Sequence, residues 1–214
     1  MNSLRTLLLA SAMLVGSAAS AKADGGDRLP FEGFYLGFQA GYDMSNVDYS
    51  LTDGINSLSL EGFSASGAEG GGFVGFGYVG GGMYLGLEGH VSYSSAEFTL
   101  TASGLGSSTT EAGLTYGGAV RLGCFPIENA LFYGKIAVQN TEFEQTVTGL
   151  GSADETLTGV GVGIGMELAL SADTFLRLEY QHTWYEELTL TNGLVTETYE
   201  GDAGTTSAGV LFRM

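Results

Sequence analysis

The sequence predicts an all-β fold, an eight-stranded antiparallel transmembrane β-barrel with short periplasmic turns and long acidic external loops. Three observations lead there: apolar residues alternate with small or polar ones in eight segments, the connections alternate between short and long, and formal charge within strands keeps to one phase. The chain of 214 residues holds 36 glycines, two prolines and 14% charged residues, a composition suited to one all-β domain. Its 24 acids against seven Lys and Arg give −17, which disfavours nucleic acid and other polyanions as partners.

An address precedes the domain. Arg5 stands before an apolar run over 7–15, and Ala21, Lys22 and Ala23 supply small residues where a signal peptidase reads. The run is too short for a membrane-spanning helix. Residues 1–23 are therefore expected as a removed signal peptide and 24–214 as the barrel domain, whose five basic residues against 24 acids leave a net −19.

The first segment, 34–44, sets Phe34, Leu36, Phe38, Ala40, Tyr42 and Met44 against Tyr35, Gly37, Gln39, Gly41 and Asp43. Successive strand side chains point to opposite faces, so one face is greasy and the other small or polar. The second, 67–78, follows this pattern except at Phe73. The third, 83–93, alternates Met83, Leu85, Leu87, Val91 and Tyr93 with Tyr84, Gly86, Glu88, His90 and Ser92. The fourth, 113–123, and the fifth, 131–141, place Arg121 and Lys135 on the second phase. In the sixth, 159–169, five aliphatic residues interleave with four glycines and Glu167. The seventh, 174–184, opposes Leu176, Leu178, Tyr180 and Trp184 to Arg177, Glu179 and Gln181, and the eighth runs over 206–214 with Arg213 on the polar phase. An even strand count suits antiparallel closure.

Connections at 79–82, 124–130 and 170–173 are short, whereas 48–66, 94–112, 142–158 and 185–204 are long. That alternation is expected of short periplasmic turns and longer external loops. The long connections carry fourteen acids and no lysine or arginine, and include the pairs Glu142/Glu144 and Glu186/Glu187, whose carboxylates suit hard divalent cations bridging lipopolysaccharide.

Alternation alone also fits a secreted soluble barrel with its apolar phase inside. Which phase looks inward decides between them. The apolar phase of the eight segments bears no Asp, Glu, Lys or Arg, while Glu69, Glu88, Arg121, Lys135, Glu167, Arg177, Glu179 and Arg213 share the glycine-rich phase. A cation at the bilayer midplane costs about 2 to 4 kcal/mol, so the uncharged phase is expected to face acyl chains and the charges to form a lumen network. Apolar-phase aromatics Phe34, Tyr78, Tyr93 and Trp184 stand at strand ends, as interfacial anchors do.

The strings at 86–89, 120–123, 163–167 and 176–180 resemble recurring strand motifs of small porin-family, opacity-type outer-membrane proteins, over essentially the whole mature chain. The resemblance implies a monomeric barrel of the Gram-negative outer membrane, inserted by the barrel-assembly machinery and serving as a structural surface protein or antigen. It also implies an aromatic C-terminal residue, where this chain ends in Phe212, Arg213 and Met214.

Eight strands enclose space that side chains can fill, so Glu88, Arg121, Lys135, Glu167, Arg177, Glu179 and Arg213, all in the half nearer the short turns, are expected to plug the periplasmic half, both termini lying on that side. A narrow diffusion porin and a lipid-modifying enzyme using outward His182 are the alternatives to a non-enzymatic surface barrel. Partners expected are outer-membrane lipid, lipopolysaccharide and a host or matrix ligand. No cofactor is expected: the string at 70–75 matches a dinucleotide fingerprint without the following helix. His90 reads as a satisfied lumen residue and Cys124 as an incidental small residue beside a turn.

Overall fold

The computed structural model describes residues 31–52, 57–102, 106–147, 151–186, 188–192 and 195–214. The expected signal peptide, Arg28, Asp53 and Glu187 lie outside the described residues. Among the described residues there are ten strands: β1 (Gly33–Thr52), β2 (Ser57–Gly80), β3 (Met83–Ser94), β4 (Glu97–Ala102), β5 (Gly106–Ile127), β6 (Ala130–Val147), β7 (Gly151–Ala169), β8 (Thr174–Tyr185), β9 (Leu188–Asn192) and β10 (Val195–Arg213). Eight of them close a ring in the order β1, β10, β8, β7, β6, β5, β3, β2 and back to β1, every neighbour antiparallel.

Two strands exceed the expected eight because the segments read as long loops continue the barrel pairing. β1 and β2 stay paired out to Thr52 and Ser57, with one register shift between Val47 and Tyr49, β6 and β7 stay in register to Val147 and Gly151, and β4 and β9 pair with the outer parts of β5 and β10. Polar and acidic residues occupy both phases there, so the alternation that marks a half-greasy strand fades while backbone pairing persists. The opposite end keeps tight turns. Gly81 and Gly82 join β2 to β3 with φ of 62° and 79°, the paired left-handed geometry that a two-residue hairpin needs.

The registers fix the shear. From Leu36 the cross-strand row runs through Val74, Gly89, Gly118, Val138, Val160, Trp184 and Asp202, and returns to β1 at Asn46, ten residues further on. Ten residues of rise across eight interstrand spacings correspond to a tilt of about 41° and a ring radius of about 8 Å. The stretch from Met83 to Tyr93 then spans a height of about 25 Å, the thickness of an apolar membrane band.

Burial follows the phases. Phe38, Leu87, Ile136 and Ile164 are 61 to 69% exposed on the outside, whereas Arg121, Glu167 and Arg177 are 0 to 1% exposed inside. Phe73, which broke the pattern of the second segment, is a lumen residue, 2% exposed. The lumen's narrow-turn half holds an apolar cluster of Phe31, Tyr35, Phe73, Tyr84, Leu131, Tyr133, Phe175 and Leu211. Its rings lie where neighbouring strands carry glycine: Tyr35 is opposite Gly75 and Tyr133 opposite Gly165. A Cβ on either glycine would sit inside the ring's contact distance, so the missing side chain is what lets the ring lie flat on the wall.

Gly165→Val therefore lowers unfolding stability by about 1 to 3 kcal/mol through overpacking, whereas Gly134→Val, whose Cβ meets nothing nearer than 4.0 Å, does not lower it. Urea titration of the two variants in lipid vesicles, followed by gel mobility without boiling, measures the difference.

Candidate functional site

The lumen charges meet at two carboxylates, one from β3 and one from β7. Glu88 Oε2 accepts from Arg121 Nη1 and Tyr35 OH, each at 2.9 Å, and lies 2.8 Å from Arg177 Nη1. Glu167 Oε1 accepts from Arg121 Nη2 at 2.5 Å and from Arg177 Nη2 at 2.9 Å, while Oε2 accepts from Arg213 Nη2 at 3.1 Å. Lys135 Nζ donates to Glu179 Oε1 at 2.6 Å and lies 3.8 Å from Glu88 Oε1. Tyr133 OH caps the other Glu179 oxygen at 2.7 Å. Strands β1, β3, β5, β6, β7, β8 and β10 are thereby tied across the axis.

Opposite charges are placed by register. Arg121 and Lys135 are direct cross-strand neighbours, an arrangement that repels. Glu88, Glu167 and Glu179 project among them, so four cations meet three carboxylates in one closed cluster. Aromatic faces complete the surroundings: the Arg177 guanidinium sits 3.8 Å from the Phe73 ring centroid, Arg121 4.1 Å from Tyr133 and Arg213 4.9 Å from Phe175. Arg213 Nη1 also donates to the carbonyl of Phe31, whose left-handed φ of 75° turns its ring into the barrel mouth.

Glu69 departs from the expected set. It faces the lumen nearer the long-hairpin end, and no ion pair among the described residues joins it to the cluster, because its register partners are Gly41 and Ser94. It lines a cavity of about 50 Å³ with Asp43, His90, Ser92, Gln139 and Gln181, room for a few waters. Gln181 donates to Gln139 at 2.8 Å there, and Thr205 to Asp43 at 2.5 Å. His90, expected to be satisfied, keeps a buried Nδ1 without a partner among the described residues. Its register partners Phe73 and Gly117 carry no polar side chain. The tyrosine hydroxyls and Phe73 escaped sequence reasoning; aromatic residues on a phase otherwise made of glycine, polar and charged residues were the available signal.

The four expected interfacial aromatics are exposed outward, Phe34 at 42%, Tyr78 at 55%, Tyr93 at 61% and Trp184 at 50%. Phe34 and Tyr78 belong to the short-turn end, Tyr93 and Trp184 to the other. Cys124 is exposed near the short-turn end of β5. Beyond the upper belt, Glu97, Glu111, Glu144 and Asp154 stand in register across β4, β5, β6 and β7. His182 lies outward, with Nε2 3.7 Å from Asp202 Oδ2.

A family profile for the outer membrane protein beta-barrel domain matches residues 7–213. Among solved structures, the attachment invasion locus protein Ail of Yersinia pestis aligns over 86% of this chain and 99% of its own at 14% identity, TM-score 0.46. Neisserial surface protein A aligns over 86% and 98% at 16% identity, TM-score 0.49. The Escherichia coli outer membrane protease OmpT aligns over 89% and 99% at 7% identity, TM-score 0.51, a likeness of fold alone. No curated protein sequence matches.

Glu167→Gln removes the negative charge shared by three guanidinium groups and turns one acceptor oxygen into a donor, which costs about 3 to 5 kcal/mol. Glu155→Gln, at an exposed position, changes stability by less than about 0.5 kcal/mol. Equilibrium unfolding in urea-containing vesicles compares them.

Proposed function

The chain belongs to the outer membrane protein beta-barrel domain family, and from that premise we propose a non-enzymatic surface barrel whose lumen is plugged and whose interactions are made by its outer face and external end. The observation that carries this reading is the cluster on Glu88 and Glu167. An ion crossing the lumen must displace several charge-assisted hydrogen bonds at once in a space already filled by aromatic rings. A diffusion porin needs that space to be water.

The lipid-modifying alternative is weaker on geometry. The serine in the same cross-strand row as His182 is Ser66, three strands and about 14 Å away. Both termini are assigned to the periplasmic side, because Gly33 and Met214 lie at the end that carries the tight turns. In the same reading the signal peptide 1–23 is removed and the domain 24–214 is inserted by the barrel-assembly machinery. A closed sheet exposes no edge to a second copy, which favours a monomer. Outer-membrane lipid and lipopolysaccharide surround the apolar band. The acidic hairpin ends repel nucleic acid and are the surface offered to a host or matrix molecule.

Purified barrel in planar bilayers is expected to give no large, steady single-channel conductance, and lipid A from expressing cells is expected to keep its mass. Steady channels of porin size contradict the plug. A lipid A mass change that His182→Ala abolishes contradicts the non-enzymatic reading.

A further inference from the structure

Among the described residues, a cluster on the outward surface combines a carboxylate, an amide, an imidazole and an indole. On the outward faces of β8, β10 and β1, Trp184, Asp202 and Asn46 occupy a single cross-strand row, and His182 lies one outward position below Trp184. Asn46 Nδ2 donates to Asp202 Oδ2 at 3.3 Å, and the His182 and Trp184 rings meet edge to face with centroids 4.5 Å apart. Opposite His182 is Gly204, over which the Tyr180 ring lies: a Cβ there would first meet the Tyr180 hydroxyl at 3.1 Å, so the missing side chain brings that phenol beside His182. These groups stand at the height of the external aromatic belt, beside the headgroups of the outer leaflet.

We propose that Asn46, Asp202, His182 and Trp184 form a saccharide site that takes the sugar headgroup of an outer-leaflet glycolipid. The inference rests on the outer-membrane reading and adds a ligand site to it. A flat, half-exposed indole matches the C–H face of a pyranose ring, and the amide, imidazole, carboxylate and phenol around it supply both donors and acceptors for hydroxyl groups. Phosphate chemistry is disfavoured, since no lysine or arginine is present and Asp202 would oppose an anion. An ammonium group would pair with Asp202 but leave the Asn46 amide and the Tyr180 hydroxyl unused.

Trp184 is the only tryptophan in the sequence, so its emission reports this site alone. The test uses full-length mature protein in phosphatidylcholine nanodiscs, titrated with lipid A, with diglucosyl diacylglycerol, and with phosphatidylglycerol or phosphatidylethanolamine of matched acyl chains. The two sugar-bearing lipids are expected to shift Trp184 emission saturably. The two without sugar act roughly tenfold more weakly, and Asp202→Asn or Asn46→Ala weakens the sugar response by roughly tenfold, the loss of about one good hydrogen bond. Heat-modifiable migration checks that each variant is a folded barrel. An equal response to phosphatidylglycerol, an equal response to phosphatidylethanolamine, or an undiminished response in both variants overturns the saccharide site and leaves the barrel reading standing. Failure of the parent protein to insert at all overturns the barrel reading and the site together.

Discussion

Hydrocarbon offers no hydrogen-bond partner to a peptide group, and the rest of this structure follows from that constraint. A sheet in such a solvent has to pair its last strand with its first. Here the closure between β1 and β10 extends from Tyr35 opposite Arg213 to Thr52 opposite Thr196. Closing eight strands with a ten-residue offset sets both tilt and radius. A ring of radius about 8 Å is too narrow for a wide aqueous pore and too wide to be filled by small residues alone.

The filling is solved in two ways along the axis. Toward the tight turns, glycine on one strand makes room for an aromatic ring from its neighbour, and arginines thread between those rings to reach Glu88 and Glu167. Toward the long hairpins, glutamine, serine, threonine and carboxylate side chains line a small polar cavity. Buried ion pairs need not add net stability, because desolvation offsets much of their attraction. Their effect here is on specificity: Arg121 set beside Lys135 is tolerable only in the register that brings the carboxylates between them.

Much of this was legible in the sequence, for identifiable reasons. Leu87, Val162 and Leu178 alternate with Glu88, Gly163 and Glu179 strictly enough to assign faces, and the charge-free phase names the solvent. The outer hairpins were not legible. Around Glu97, Glu111 and Glu144 both faces meet water, so the period-two signal disappears although the ladder continues. Glu69 shares the face of the other lumen charges but not their level, and the ten-residue shear, invisible in one sequence, sets which of them pair. Tyr35 and Tyr84 stand on the phase read as small or polar, and their role, like that of Tyr133, as ring-over-glycine fillers needs cross-strand partners to be seen.

Side-chain orientation decides whether this barrel lies in hydrocarbon. Single nitroxide labels at Leu87, Val162 and Leu178, in a Cys124→Ser background and reconstituted in lipid, report contact with acyl chains through collision with oxygen and shielding from a water-soluble nickel complex. All three positions are predicted to be oxygen-accessible and nickel-shielded, as expected for side chains in hydrocarbon. Labels that are immobilised and shielded from both reagents would place these residues in a packed interior and contradict the account.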